Sequence, residues 1–162
     1  MKKLSCISAL LVMAACGNKE QNNTVATKAD PSQLVMVDKE FSKMSAEKGL
    51  KAAFLYYAAD SAIKLRNKEF PVIGKDEIKK MFEEDPAGNQ TTLTWTPVRA
   101  EIGAANDLGY TFGNWKMRID DSTSATSDTF YGNYITIWKK QPDGSWKWVL
   151  DGGNNTPGPS AK

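Results

Sequence analysis

Residues 131–151, YGNYITIWKKQPDGSWKWVLD, decide the fold. Two runs of alternating β-branched and aromatic residues flank Pro142-Asp143-Gly144. Pro presets its own φ there, and Gly accepts the positive φ that a tight reversal demands. The stretch therefore reads as an antiparallel hairpin. It carries Trp138, Trp146 and Trp148, three of the five tryptophans in the chain, and marks the wall against which the remainder packs.

Upstream of the hairpin the chain keeps a period of two back to Thr91. Strands are expected over 92–102, 108–119, 128–140 and 145–151, with turns at 105–107 and 120–127 joining the first three. Short connections make an antiparallel meander. Gly103, Gly109, Gly113 and Gly132 fall at or inside these strands, where glycine often marks a bulge or bend. A sheet bent at such points curls around the helices that cover it.

Before Thr91 the period is 3.6 residues. Asp30 as N-cap, Pro31 at the first position and Gln33 closing a capping box open a helix. Leu34, Val37, Phe41 and Met44 form its apolar stripe. Gly49 interrupts the run, and a second helix over 50–59 places Leu50, Ala53, Phe54 and Tyr57 on one face. Residues 62–65 alternate like a single early strand, and 70–74 form a loop. Gly74 then caps a third helix, with Asp76 and Glu77 at the positive end of its dipole. Ile78, Met81 and Phe82 supply its buried face, and Asp85-Pro86-Ala87-Gly88 ends it. Helices first and strands later, with one early strand, give an α+β fold. The domain spans 30–151, and the Gly-, Asn- and Pro-rich residues 152–162 read as a disordered tail.

A chain of 162 residues suits one domain with a core, not two. It has 21 basic and 19 acidic residues. Lys2 and Lys3 belong to a segment expected to be removed, which leaves a formally neutral domain with no electrostatic footprint for nucleic acid. There is no histidine, so imidazole bases, Ser-His or Cys-His nucleophiles and His-ligated zinc are excluded. The two cysteines, Cys6 and Cys16, precede the folded region. Glu83, Glu84 and Asp85 lack the spacing of a cation loop and read as a solvated helix end. No metal site and no cofactor is implied.

The N-terminus reads as an export signal over 1–15: a basic start, a short apolar run, then small residues. The apolar stretch is too short to span a bilayer. Met13-Ala14-Ala15-Cys16-Gly17 resembles the bacterial lipobox, in which the cysteine is acylated and becomes the mature N-terminus. Residues 16–29 then form a lipidated, flexible tether. No aspartate follows Cys16, which favours an envelope location at the outer membrane.

Further along, the order of elements and particular motifs resemble a family. Tyr57-Ala58-Ala59-Asp60-Ser61-Ala62-Ile63, Ile73-Gly74-Lys75-Asp76-Glu77-Ile78 and Asp107-Leu108-Gly109-Tyr110-Thr111-Phe112-Gly113 are similar to the nuclear transport factor 2-like superfamily. Together with Gly132, Tyr134, Trp138-Lys139-Lys140 and Asp143-Gly144-Ser145-Trp146-Lys147, they resemble its SnoaL-like, domain-of-unknown-function-4440 branch. The resemblance implies a cone in which a curved, mainly antiparallel sheet wraps N-terminal helices. It also implies an apolar pocket at the open end, and frequent homodimers through the sheet.

Function does not follow from such a fold. Where isomerases of this family carry a catalytic Asp, this chain carries Leu65, which cannot take a proton. The dehydratase branch relies on His, absent here. Asp60 matches the family but reads as a cap or ion-pair partner. Asp151, at the end of the last strand, is the candidate catalytic carboxylate, with Trp146, Trp148 and Leu150 on the opposite face if the strand is regular. A carboxylate at the rim of an apolar cavity can have a raised pKa and act as a base. The alternative is one hydrogen-bonded to loop amides. Tyr57, Trp95, Tyr110, Trp115, Tyr134 and Trp138 are candidate ligand-binding aromatics. Period-two arithmetic puts Tyr134 and Trp138 on one face, and Tyr110 and Trp115 on opposite faces unless Gly113 bulges. Three functions are compatible with these residues. They are a small, largely apolar molecule held in the cone, an enzyme using Asp151 with a tyrosine, and a non-catalytic homodimeric or protein-interaction module.

Overall fold

The computed structural model describes residues 29–85, 90–120 and 127–159. The expected signal peptide, Cys16 and the tether up to residue 28 lie outside the described residues. So do residues 86–89 after the third helix and most of the reversal at 120–127.

Helix α1 (Ser32–Lys48) begins directly after Asp30 and Pro31. The Asp30 carboxylate accepts from the Ser32 amide at 2.9 Å and the Ser32 hydroxyl at 2.7 Å. The inward stripe is Leu34, Asp38, Phe41, Ser42 and Ser45. Val37 and Met44, expected on that stripe, are only partly buried at its flanks. Helix α2 (Leu50–Tyr57) stops two residues before the expected end. Ala58 is already extended and pairs with Trp148, so strand β1 (Ala58–Lys64) is longer than its four-residue alternation suggests. Strand β2 (Val72–Ile73) lies within the expected loop and pairs with β1. Helix α3 (Lys75–Glu83) follows Gly74 as expected.

Four long strands complete the fold: β3 (Thr91–Ile102), β4 (Leu108–Asp120), β5 (Ser127–Lys140) and β6 (Trp146–Thr156). The β5–β6 reversal has the expected form. Gly144 sits at φ +85° and its amide donates to the Gln141 carbonyl at 2.9 Å. Strand β6, however, runs to Thr156, five residues beyond its expected end. The expected tail is thus strand up to Thr156, because β5 pairs with it as far as Tyr131 opposite Thr156. Composition alone suggested disorder there; the partner strand supplies the missing hydrogen bonds.

The sheet order is β2-β1-β6-β5-β4-β3, antiparallel throughout except for the parallel β1–β6 pair. Its register slips between Pro97 and Arg99, between Trp148 and Leu150, and in the β1–β6 pair between Ala58 and Ile63, not at the glycines expected to bulge. The second slip overturns an expectation of regular alternation. With one residue extra at Val149, Trp148 and Asp151 share the inner face instead of opposing each other.

The core lies between this inner face and the helices. Phe41, Phe54, Trp95, Trp138 and Trp148 form a cluster of edge-on and tilted rings with centroids 4.6–6.0 Å apart, a geometry that aromatic quadrupoles favour. Helix α1 docks on the edge strand β3 by polar contacts. Ser42 Oγ accepts from the Trp95 amide, and Ser45 Oγ donates to the Leu93 carbonyl, both at 2.8 Å. The edge backbone is thereby covered rather than left open to another chain. The outer face presents Leu65, Phe112, Ile135 and Val98, each exposed by roughly two fifths or more. This is the face through which the family resemblance implies homodimers.

Candidate functional site

A cavity of about 440 Å³ opens between the helices and the inner face, within the usual range for small-molecule sites of about 300–1,000 Å³. One wall is apolar: Leu93 and Trp95 from β3, Trp115 and Met117 from β4, and Tyr134 from β5, with Phe54 between Trp95 and Lys64. The other wall is polar. Lys64 comes from β1, Asp151, Asn154 and Asn155 from β6, and Arg66, Asn67 and Glu69 from the segment after β1.

Two glycines shape the apolar wall. Gly132 lies opposite Trp115 in the β4–β5 register. A methyl group on it would come within 2.2 Å of the Trp115 ring and 2.1 Å of the Asn154 carbonyl. The indole therefore lies flat on the strand, its Nε1 donating to the Asn133 carbonyl at 3.0 Å. Gly113 likewise leaves room for the Tyr134 ring.

The polar wall rests on a row running through four strands in register. Lys64 pairs with Asp151, Asp151 with Thr136, and Thr136 with Thr111. Lys64 Nζ donates to Asp151 Oδ1, and Thr136 Oγ1 donates to Oδ2 at 2.7 Å. The side chains of this ion pair are 19% and 7% exposed. The ammonium also lies 4.7 Å from the centroid of the Phe54 ring, a favourable cation–π distance.

Behind the aromatic wall lies a second carboxylate. Asp38 is fully buried. It accepts from Trp95 Nε1 at 2.7 Å on Oδ1 and from the Tyr134 hydroxyl at 2.6 Å on Oδ2. Burial pushes its carboxyl up from the ordinary value, while hydrogen bonds from Tyr134, Trp95 and Thr111 pull the other way. Burial and the neighbouring Asp38 push the Tyr134 phenol up as well, so it stays protonated at neutral pH and acts as a donor. Asp38 thus fixes two of the rings that line the cavity.

The sequence candidates divide accordingly. Trp95, Trp115, Tyr134 and Asp151 line the cavity. Tyr57 packs on Phe41 and Trp138 instead. Trp138 is a buried core residue whose Nε1 donates to Thr111 Oγ1 at 2.9 Å. Tyr110 pairs with Glu101 and Ile137 on the outer side of the sheet, opposite in face to Trp115, because Gly113 introduces no bulge. Asp151 and a tyrosine hydroxyl do not pair. The tyrosine that lines the cavity bonds Asp38, and Asp151 bonds Lys64 and Thr136 rather than loop amides. Leu65 lies against Gly152 on the outer face.

Asp38 and Lys64 escaped the sequence reading although both carried a signal. Asp38 follows Leu34 by four residues and precedes Phe41 by three, so the helical period puts a carboxylate on the apolar face. Lys64 follows the buried Ala62 by two, which turns it inward. Thr111 and Thr136, ordinary strand residues, carried none. Among the described residues no cluster of three or more His, Cys, Asp or Glu is placed to hold a metal ion.

Helices covering the concave side of a six-stranded sheet, with a cavity between, make the nuclear transport factor 2-like cone. No protein-family model matches the chain, and no curated protein matches it. Solved structures do. A nuclear transport factor 2-like protein with a cystatin-like fold from Novosphingobium aromaticivorans superposes with TM-score 0.64 at 10% identity, covering 81% of this chain and 84% of that one. A ketosteroid isomerase-like protein from Erwinia carotovora gives 0.63 at 9%, covering 77% and 96%. A hexachlorocyclohexane dehydrochlorinase from Novosphingobium barchaimii gives 0.62 at 15%, covering 78% and 87%. At such identities the likeness is one of fold.

Proposed function

We propose that this chain is an envelope lipoprotein whose cone binds a small, largely apolar molecule.

 The observation that carries this reading is the composition of the cavity, whose lining includes Trp95, Trp115, Phe54, Leu93 and Met117. Buried flat rings offer a large apolar contact area to an occupant. The resemblance of residues 13–17 to a lipobox supports the anchor, with acyl chains on Cys16 holding the domain at the outer membrane. Each buried CH₂ of such a chain contributes about 0.8 kcal/mol. Among the described residues no helix is long and apolar enough to cross a membrane.

Native mass spectrometry of the protein purified from its own cell tests the binding reading. We expect an adduct of small-molecule mass that dissociates on activation. Adding that molecule at about a hundred times its Kd should stabilise the fold by about 2.7 kcal/mol, a rise of several degrees in Tm. In Trp115→Ala that rise should be lost. If nothing co-purifies and no member of a metabolite library moves the melting temperature, the cone does not serve as a binding site. The anchor has its own test. Cys16→Ser should shift the protein from the membrane fraction to the soluble fraction of the envelope, and continued membrane association of that variant would rule out lipidation there.

A further inference from the structure

We propose that the cavity selects an uncharged molecule with a flat apolar face and an oxygen acceptor on its opposite edge, and that Lys64 is the residue that reads this oxygen. The inference rests on the small-molecule reading above and goes beyond it by naming the ligand's charge and its polar group.

The first argument is the separation of the two walls. Sheet order places β3 and β4 on one side and β1 and β6 on the other. Trp95 and Trp115 therefore stand across the cavity from Lys64 and Asp151. An occupant that satisfies both walls has an apolar face and a polar edge.

The second argument is charge. Four lining residues are of charged types: Lys64, Arg66, Glu69 and Asp151. Lys64 is paired with Asp151, and Arg66 with Glu69. The lining is formally neutral, with each charge already met by its opposite. An anion entering the cavity would meet a compensated ammonium with a carboxylate beside it, and would lose its hydration without gaining a free counter-charge. A cation meets the converse. An uncharged ligand avoids both costs.

The third argument is the supply of hydrogen-bonding groups. Asp151 uses Oδ1 for Lys64 and Oδ2 for Thr136, while both oxygens of Asp38 are taken by Trp95 and Tyr134. The ammonium has three N–H groups. One goes to Asp151, and the contact with the Phe54 ring leaves donor capacity toward the cavity. Beside the Asn67, Asn154 and Asn155 amides of the same wall, Lys64 therefore offers the charged donor, which a carbonyl, ether or hydroxyl oxygen accepts. A buried ion pair adds little net stability compared with apolar side chains of similar volume. Its place in an aromatic cavity is explained by what Lys64 offers an occupant.

Three naphthalene probes test this on the full-length chain, with tryptophan-to-probe energy transfer as the readout. Prodan is a flat, uncharged ketone; dimethylaminonaphthalene has the same ring without the carbonyl; anilinonaphthalene sulfonate is an anion. Wild type should bind prodan more tightly than the sulfonate. Lys64→Met should weaken prodan about tenfold, the scale of one hydrogen bond to a charged donor, and leave dimethylaminonaphthalene unchanged. Asp151→Asn keeps the side-chain shape and an acceptor for Thr136 but frees the charge of Lys64. Sulfonate binding should then rise about tenfold or more relative to prodan. Circular dichroism checks that each variant is folded, and if Lys64→Met is not, Lys64→Gln and Asp151→Asn carry the comparison. An unchanged sulfonate-to-prodan ratio in folded Asp151→Asn, or equal losses of both uncharged probes in Lys64→Met, would overturn the role of Lys64 while leaving the binding reading in place. Absence of saturable transfer to any probe in wild type would overturn both.

Discussion

Asp38→Ala should lower the stability of the domain by about 3–5 kcal/mol, because it leaves buried donors without their partner at about 1–3 kcal/mol each and opens a small void. In a domain of this size that is a fall in Tm of about 10–20 °C. The groups stranded are Trp95 Nε1 and the Tyr134 hydroxyl, both of which bond the buried carboxylate, together with the Thr111 hydroxyl beside them. Asp38→Asn should cost much less, within about 1 kcal/mol at neutral pH, because the new amide can be satisfied. Its oxygen accepts from Trp95, and its NH₂ donates to Tyr134 once the hydroxyl has turned.

The pH dependence of this pair of proteins has a defined sign. Burial raises the carboxyl pKa of Asp38 above its ordinary value of 3.8, so the folded state holds that proton more tightly than the unfolded chain does. The contribution of Asp38 is fully present below the unfolded pKa and is lost as pH rises through the folded one. Asn does not titrate. Melting curves should therefore show Asp38→Asn gaining on wild type as pH rises from about 4 toward neutrality. If wild type gains on the variant instead, hydrogen bonding outweighs burial at this carboxylate.

Gly132→Ala should be among the most damaging single methyl groups in the sheet. It points at two obstacles: the Trp115 ring at 2.2 Å and the Asn154 carbonyl at 2.1 Å. The ring can tilt away. The carbonyl belongs to the backbone of β6, paired with β5 in this region, so relief requires the strands to part. Overpacking of this kind typically costs about 1–3 kcal/mol, and a backbone obstacle places it at the upper end. The lost stability appears in denaturant melts as a lower midpoint with little change in slope. Displacing Trp115 also removes the floor of the cavity, so ligand-induced stabilisation should disappear in the folded fraction. A Gly132→Ala protein with wild-type midpoint and undiminished ligand response would show that the close approach is not there.

Most elements were legible before any coordinates. The hairpin around Gly144, the meander from Thr91 and the helix behind Asp30 all follow from local chemistry: a turn residue that accepts positive φ, alternation of period two, a carboxylate ahead of the first turn. The errors fall where a distant partner decides. Gly, Asn and Pro after Asp151 read as a tail, but pairing with β5 makes residues up to Thr156 a strand. Ala58 and Ala59 read as helix, yet β6 draws Ala58 into the sheet.

The candidate site was half legible for the same reason. Trp95, Trp115, Tyr134 and Asp151 were named from residue type and end in one cavity, while Tyr57, Tyr110 and Trp138 do not. What the amino-acid order determined by itself is the kind of chemistry present: an α+β chain with no imidazole, rich in strand tryptophans, with acid–base capacity confined to carboxylates, lysines and tyrosines. Tertiary structure alone decided which of these meet. One extra residue at Val149 turns Asp151 inward beside Lys64, and Asp38 reaches Tyr134 across 96 positions. A register slip and a contact between distant segments leave no periodic trace in a chain, because period reports only neighbours on the same element.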